Sequence, residues 1–583
     1  MALREIAASS RKLCILLVPL LLVVNLLLYS GTLGFDFLKD DHVLVENNPR
    51  VKSGKVFLDT LGKRFFAFPD FAFLHYWRPL TLLSYRVDYL LWGETPNGFH
   101  LANVLINAAV TVLVFLFFLA WGGRAVPAFL VALWFSLFPL HAENVAWISG
   151  RPDLLAALFV LAAALAFLRF LDAGGTKFLL FTFLLFMPGL LVKENLVVFP
   201  IIALIMTLMR GRWRRGRLPL AGLALVSAVF ALMHAIISGS GGMLARASFS
   251  QVPIVFQAIG VYARMILVPI FPDPYFTMVQ FESRPLEWVV WALLVLFILA
   301  IAVWKKDRWV YTRGAMGFLV LMVPVLNPVL VPSYPPLAMR FVYLPAVMGG
   351  ALLVDLGMRL GRKWKPVLMA VTVLSGIALY WVNMVYQDYF RNDEAFYARL
   401  ISNHPSDGSL YLPLALKRAN EKRYPEALNL VRRGVEISKN SRWMDVREMA
   451  ALLEANLLLV TGEPEAGFHR AQRIERETTQ DGMRFKALMI MAKYHEMRKE
   501  FAESLAELDR AEKLGSTAEL FLQRCLVLAR MGRWREAQIA MEQARRLNPD
   551  LTDFSGLSRL LRSRGESDPG EASPQPAPVR RGE

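Results

Sequence analysis

The sequence predicts an all-α protein in two parts, a polytopic membrane bundle followed by a helical-repeat solenoid. Three observations carry that prediction. Of the 583 residues, 55% are hydrophobic and the mean hydropathy is +0.41, too apolar for a water-soluble chain. From Leu13 to Tyr386, apolar runs long enough to cross a bilayer alternate with short polar joints. From Gln387 onward the chain turns charged, with Glu, Lys and Arg at helical spacing. The expected organisation is a membrane domain over 1–390 with a first outer loop at 34–99, a repeat domain over 391–564, and a disordered Pro-, Ser- and Glu-rich tail at 565–583.

The first run, Leu13 to Leu33, follows Arg4, Arg11 and Lys12. It is longer than the apolar stretch of a signal peptide and suits a spanning helix with its N-terminus in the cytoplasm. Further runs lie near 100–120, 125–140, 154–171, 178–192, 195–209, 218–237, 287–304, 315–331, 341–358 and 366–386. Together they make about eleven spans of roughly 20 residues. That count places the three densest basic joints on the cytoplasmic side, as the positive-inside rule asks: "RGRWRRGR" (Arg210 to Arg217), "KKDRWVYTR" (Lys305 to Arg313) and "RLGRKWK" (Arg359 to Lys365). The outward segments are then 34–99, 141–153, the surroundings of Lys193, 238–286, 332–340 and everything after 387. "VPIVFQAIGVYARMILVPIF" (Val252 to Phe271) is also long and apolar. Arg264 in its middle places it re-entrant or in the interface rather than across the membrane.

The formal net charge of +17 sits in joints beside apolar runs. It reports orientation there, and nucleic acid is not an expected partner. The two cysteines, Cys14 and Cys525, fall in different parts of the chain, and no disulfide is expected.

After Asn403 the chain repeats at a period of roughly 34 to 40 residues, the length of a helix–turn–helix unit. The units are "KRYPEALNLVRRGVEI" at 422, "GEPEAGFHRAQRI" at 462, "KEFAESLAELDRAEKL" at 499 and "GRWREAQIAMEQARRLNP" at 532. The pattern resembles the TPR repeat, with Gly532, Ala537 and Pro549 in the last unit. It departs from it at Pro464, where an aromatic is expected, and at Ser504, where Ala is expected. Stacked units of this kind bury a continuous core and present a groove suited to an extended peptide.

Ionisable residues near the ends of spanning helices are costly to bury, so they are candidates for function. "GFDFLKDDHVLVENNPRVKSG" puts Asp40 and Asp41 just beyond the first span. Adjacent carboxylates repel, which raises the proton affinity of one and suits a general base; a solvated turn or a helix cap explains the pair as well. "HYWRPLTLLSYRVDYLLWG" brings Arg78, with Pro79 suited to a helix start. In "GFHLANVLIN", His100 and Asn103 share a helical face. "FPLHAENVAWISGRPDLL" brings His141, Glu143, Arg151 and Asp153. The first two are of metal-ligating type but do not make a site alone, and the last two suit a pair. Lys193 and Glu194 interrupt an apolar stretch, and Arg340 and Tyr343 end another span in "VPSYPPLAMRFVYLP". Together these residues describe an outward-facing polar cavity of carboxylates and cations.

"FLKDDHVLVENNP", "YWRPLTLLSYRVDYLLWG", "GFHLANVLIN", "LHAENVAWISGRPDLLAAL", "LVKEN", "RFVYLP" and "FRNDEAFYARLISNHPSD" occur in that order. As an ordered set over nearly all of 30–560, they resemble the TMTC-type transmembrane and TPR-containing proteins and their bacterial relatives. Those are GT-C glycosyltransferases similar to protein O-mannosyltransferases. The resemblance implies a polyprenyl-phosphate sugar donor, inverting transfer of mannose or another hexose outside the cytoplasm, and a Ser/Thr hydroxyl acceptor on protein. It also implies an acidic base in the first outer loop, here Asp40 or Asp41. Arg78, His141, Glu143, Arg151, Asp153, Lys193, Glu194, Arg340 and Tyr343 become candidates for holding the donor phosphate or substrate. The scheme requires no cofactor and leaves a divalent cation open. Membrane lipid and an acceptor peptide, offered by the repeat groove, are the expected partners. The length and the Arg-rich inner joints suggest a bacterial inner-membrane protein with its repeats in the periplasm. Two other readings stay open: a GT-C enzyme acting on a lipid or envelope glycan, and a non-catalytic membrane-anchored repeat scaffold.

Overall fold

The computed structural model describes residues 2–59, 61–62, 76–238, 252–270, 285–304, 309–322, 338–360, 362–438 and 444–547. The expected tail 565–583, Pro549, Lys305 to Arg308 of one basic joint, and most of the outer segment 332–340 lie outside them. Among the described residues the regular elements are all helices, with no strand. The chain divides into two compact units, Met1–Phe396 and Tyr397–Glu583.

Among the described residues of the first unit six helices are long and apolar enough to cross a membrane: Leu13–Gly34, Pro96–Gly122, Ile148–Ala173, Trp213–Ile237, Leu286–Trp304 and Met369–Phe390. The other expected runs are also helical in their described parts but shorter: Ala125–Leu137, Thr176–Val192, Glu194–Met209, Val310–Met322 and Val347–Gly357. A helix such as Ala125–Leu137, with 13 residues, rises only about 20 Å, less than the ~30 Å hydrocarbon thickness. The segment from Val252 forms a 16-residue helix, Val252–Leu267, and its Arg264 faces Glu287 at 3.5 Å.

Local chemistry sets the helix ends. Pro79, Pro96, Pro152 and Pro200 stand in the first turns of their helices, where a missing N–H costs nothing. The Pro96–Gly122 helix stops at Gly123, whose φ of +71° suits glycine.

Polar stitches hold the long helices together. The Asn25 side-chain carbonyl accepts from Asn107 Nδ2 at 2.7 Å and from Thr111 Oγ1 at 3.3 Å, and Asn107 Oδ1 accepts from the Tyr343 hydroxyl at 2.5 Å. Asn383 Nδ2 donates to the Tyr29 hydroxyl and the Phe138 carbonyl, both at 3.1 Å, and Gln387 Nε2 donates to the Leu28 carbonyl at 3.0 Å. Interhelical bonds of this kind contribute on average about 0.6 kcal/mol each in a bilayer. The segment after the first candidate span is seated by apolar contacts. Phe37, Leu44, Val45, Val51 and Phe57 pack with Leu82, Tyr85, Phe99 and Ile148.

Among its described residues the second unit contains four helix pairs: Tyr411–Asn420 with Tyr424–Ser438, Met444–Val460 with Pro464–Glu477, Asp481–Met497 with Phe501–Glu512, and Ala518–Arg530 with Trp534–Leu547. Each intra-pair turn carries a left-handed residue: Lys422, Gly462, Lys499 and Gly532. Five residues after each comes a small buried residue, Ala427, Gly467, Ser504 or Ala537. The two departures from the repeat pattern have local reasons. Pro464 opens its helix in the first turn. Ser504 donates its hydroxyl to the Ala492 carbonyl of the partner helix at 2.8 Å, so its oxygen is buried without loss.

Candidate active site

Residues 38–44 form a tight turn beyond the first candidate span. Lys39 takes a left-handed φ of 54°. The Asp41 N–H donates to the Leu38 carbonyl at 3.0 Å, and the Val43 and Leu44 N–H groups donate to the Asp40 carbonyl at 3.1 and 2.7 Å. The turn gives the two neighbouring carboxylates different fates. Asp41 is fully buried. Its Oδ1 accepts from the Ser149 N–H at 2.8 Å and from the Ser149 hydroxyl, and its Oδ2 accepts from the Leu38 N–H at 3.0 Å. Burial pushes this carboxyl up to about 7, against the opposing pull of those hydrogen bonds. Asp40 is half-buried, and its carboxylate has no hydrogen-bond or ion-pair partner among the described residues. Gly150 makes the arrangement possible. A Cβ there would stand 2.6 Å from the Asn144 carbonyl oxygen, so only glycine lets Ser149 fold back toward the loop.

Four cations form one connected group that reaches the turn through Lys39 and Arg340, each oriented by a partner. Arg340 donates from its backbone N–H and from Nη1 to Glu143, at 2.9 and 2.8 Å. Its guanidinium lies over the rings of Trp147 and Phe341, 5.5 and 4.8 Å from their centroids. It feels the charges of Glu143, Asp153 and Asp40. Lys193 donates to Asp153 and lies 5.2 Å from the Phe341 centroid. Arg78 grips Glu194 through Nε and Nη2 at 2.8 and 2.5 Å and lies 4.2 Å from the Tyr76 centroid. The Lys39 ammonium rests on Trp147 and Phe396, at 4.7 and 4.9 Å, and burial lowers its proton affinity. Lys39, Tyr76, Ser149, Trp147 and Phe341 were not among the candidates of the sequence. Lys39 and Phe341 sit beside residues that were, Asp40 and Arg340, but no spacing rule marks them.

The other expected residues do not join this cluster. Arg151, expected as a phosphate cation or as the partner of Asp153, is instead only 1% exposed. It bonds Asp88 at 2.5 Å, the Asn103 side-chain oxygen at 2.7 Å and the Phe99 carbonyl at 2.9 Å. Each of its nitrogens therefore serves the fold. His141 is fully buried; its ring nests among Phe135, Phe138 and Tyr343 at 4.4, 5.0 and 4.5 Å, with Nε2 on the Tyr343 carbonyl at 2.9 Å. Burial lowers it to about 3, leaving a neutral imidazole. Tyr343 spends its hydroxyl on Asn107. His141 and Glu143 therefore have separate partners. Among the described residues no three His, Cys, Asp or Glu side chains gather as metal ligands would.

No family model matches the chain. It is similar to "Protein O-mannosyl-transferase Tmtc1" of Drosophila melanogaster, 33% identical over 172 residues, covering 29% of this chain and 20% of that protein. It is likewise similar to "Protein O-mannosyl-transferase TMTC1" of Mus musculus, 35% identical over 193 residues, 30% of this chain and 20% of that one. Mouse "Protein O-mannosyl-transferase TMTC4" is 31% identical over 170 residues, 26% of this chain and 23% of that one. The matched stretches span about a fifth of the length of these curated relatives.

Proposed function

We propose that this chain, TMTC-like over a little under a third of its length, is a membrane glycosyltransferase. In this reading it transfers a hexose, mannose by likeness to the names of its relatives, from a polyprenyl phosphate to a Ser/Thr hydroxyl of a protein. The observation that carries this reading is the contrast within one turn. Asp41 is buried and fully bonded, whereas Asp40 is half-buried and unpartnered beside oriented cations. A base needs a free oxygen in reach of a substrate, and of these two carboxylates Asp40 is the one without a partner among the described residues.

Asp40 takes the proton of the acceptor hydroxyl as that oxygen bonds to the anomeric carbon. The carbon–oxygen bond to the phosphate breaks in the same displacement, which inverts the anomeric centre. The electron pair leaves with the polyprenyl phosphate, whose charge Arg340, Lys193, Arg78 and Lys39 stabilise. Glu143, Asp153 and Glu194 orient three of these cations before substrate arrives. Arg340 retains Nε and Nη2 without a partner among the described residues, free for phosphate oxygens. In this scheme the site faces away from the cytoplasm, in a bacterial inner membrane, and the repeat unit binds the acceptor chain.

The test is glycopeptide mass spectrometry of envelope proteins from matched hosts making the wild type, Asp40→Asn or Asp41→Asn. General-base loss is expected to lower transfer by about 100-fold or more in Asp40→Asn at unchanged protein level and membrane insertion. Unchanged glycopeptides in Asp40→Asn alone would reject Asp40 as the base, and unchanged glycopeptides in both variants would reject the transfer to protein. Sugar additions found only on glycolipids would replace the acceptor.

A further inference from the structure

The turn that carries Asp40 is held from a second side by the segment that follows the last candidate span. The Asp36 N–H donates to the Arg391 carbonyl at 2.9 Å. The Lys39 N–H donates to Asp393 Oδ1 at 3.0 Å, and the His42 Nε2–H donates to Asp393 Oδ2 at 2.7 Å. The second ring nitrogen, Nδ1, meets Glu46 at 2.5 Å. The Lys39 ammonium lies 4.9 Å from the Phe396 centroid. One carboxylate thus brackets the pair Asp40–Asp41, reaching the residue before it and the residue after it.

We propose that Asp393 is a positioning residue for the Asp40 base: it fixes the 39–42 turn through the Lys39 amide and the His42 ring and so sets where the Asp40 carboxylate points. This rests on the transferase reading. A left-handed lysine is a costly conformation for a residue with a Cβ, and persists where its surroundings enforce it. The bond from the Lys39 N–H to Asp393 is one such enforcement. His42 lies between two carboxylates, so both of its ring nitrogens act as donors, which requires the imidazolium. Bonding to Asp393, more than to Glu46, pushes its pKa up to about 9, against burial. Glu46 and Asp393 are the titratable groups that face its two nitrogens. The cations of the same two segments, Lys39 and Arg391, are engaged on aromatic rings and on Asp388. The clamp is therefore complete below about pH 9 and weakens as His42 loses its proton above it.

Asp393→Asn keeps an oxygen for the Lys39 N–H but removes the anion that holds His42 protonated. The full-length chain in detergent is tested by hydrogen exchange of the 36–48 amides and by steady-state transfer across pH. In Asp393→Asn those amides are expected to exchange about tenfold faster. The rate constant kcat is expected to fall with KM for the donor unchanged, and the alkaline limb of kcat to move down by about one pH unit or more. Asp393→Glu should restore part of both. Wild-type exchange in Asp393→Asn overturns the clamp. A loosened turn with wild-type kcat and pH profile overturns the positioning role. A wild type that transfers no sugar, beside a loosened turn in the variant, rejects the transferase reading while the clamp itself stands.

Discussion

Asp41 binds its proton more tightly in the folded chain than in an unfolded one, since burial lifts its carboxyl to about 7 from the ordinary carboxylate range. The folded state then holds more protons, and stability falls as pH rises from about 4 toward 7 and levels off above. Thermal melts between pH 4 and 8 should show that loss in the wild type and a flatter profile in Asp41→Asn, which carries no charge to bury. The sequence offered Asp40 and Asp41 as equals. What separates them is Ser149, 108 positions further on, which no local pattern connects to the loop. Arg151 misled for a related reason: its partner is Asp88 on another helix, not Asp153 two residues away. Short-range charge spacing suggested the wrong pair.

At the level of elements, the intra-pair turns of the repeats are the clearest case of one geometry met by two residue types. Gly462 and Gly532 take the left-handed conformation freely, whereas Lys422 and Lys499 take it at φ 61° and 64°. Lys499→Gly should therefore stabilise the chain by about 1 kcal/mol, read as a rise in Tm without change in helix content. Lys499→Val should lower Tm, because a β-branched residue fits that region worst. The repeats were legible because their landmarks are local: a turn residue and a small residue at fixed offset. The lengths of the membrane helices were less so. The single apolar run read at 341–358 takes in the end of a 3₁₀ turn, Met339–Val342, and an α-helix that begins only at Val347. Composition registers the apolar residues and not the interruption.

For the whole molecule, fold class followed from the division between apolar and charged halves, which a structure dominated by helix packing preserves. The stitches from Asn25 to Asn107 and Tyr343 stayed hidden, because single polar residues inside apolar runs do not name their partners. Orientation is a molecule-scale property as well. A reporter fused after Asp388 should read outside the cytoplasm, and one placed within Arg210 to Arg217 should read inside, following the basic joints. The opposite pair of signals would invert the membrane unit and place the Asp40 turn in the cytoplasm.

The constant offset within each hairpin of the repeat unit has a consequence for how such a chain changes length. Successive left-handed turns lie 40, 37 and 33 residues apart, from 422 to 462, 499 and 532, while the five-residue step to the small residue never varies. The differences in length between units therefore fall outside that step, in the helices and in the joints between pairs: the first helix of a pair has 10 residues in Tyr411–Asn420, 17 in Asp481–Met497 and 13 in Ala518–Arg530. The turn and the five residues after it behave as a fixed corner, and the helices that run into and out of it as arms of adjustable length, so an arm can lose a turn of helix without moving the corner's own register.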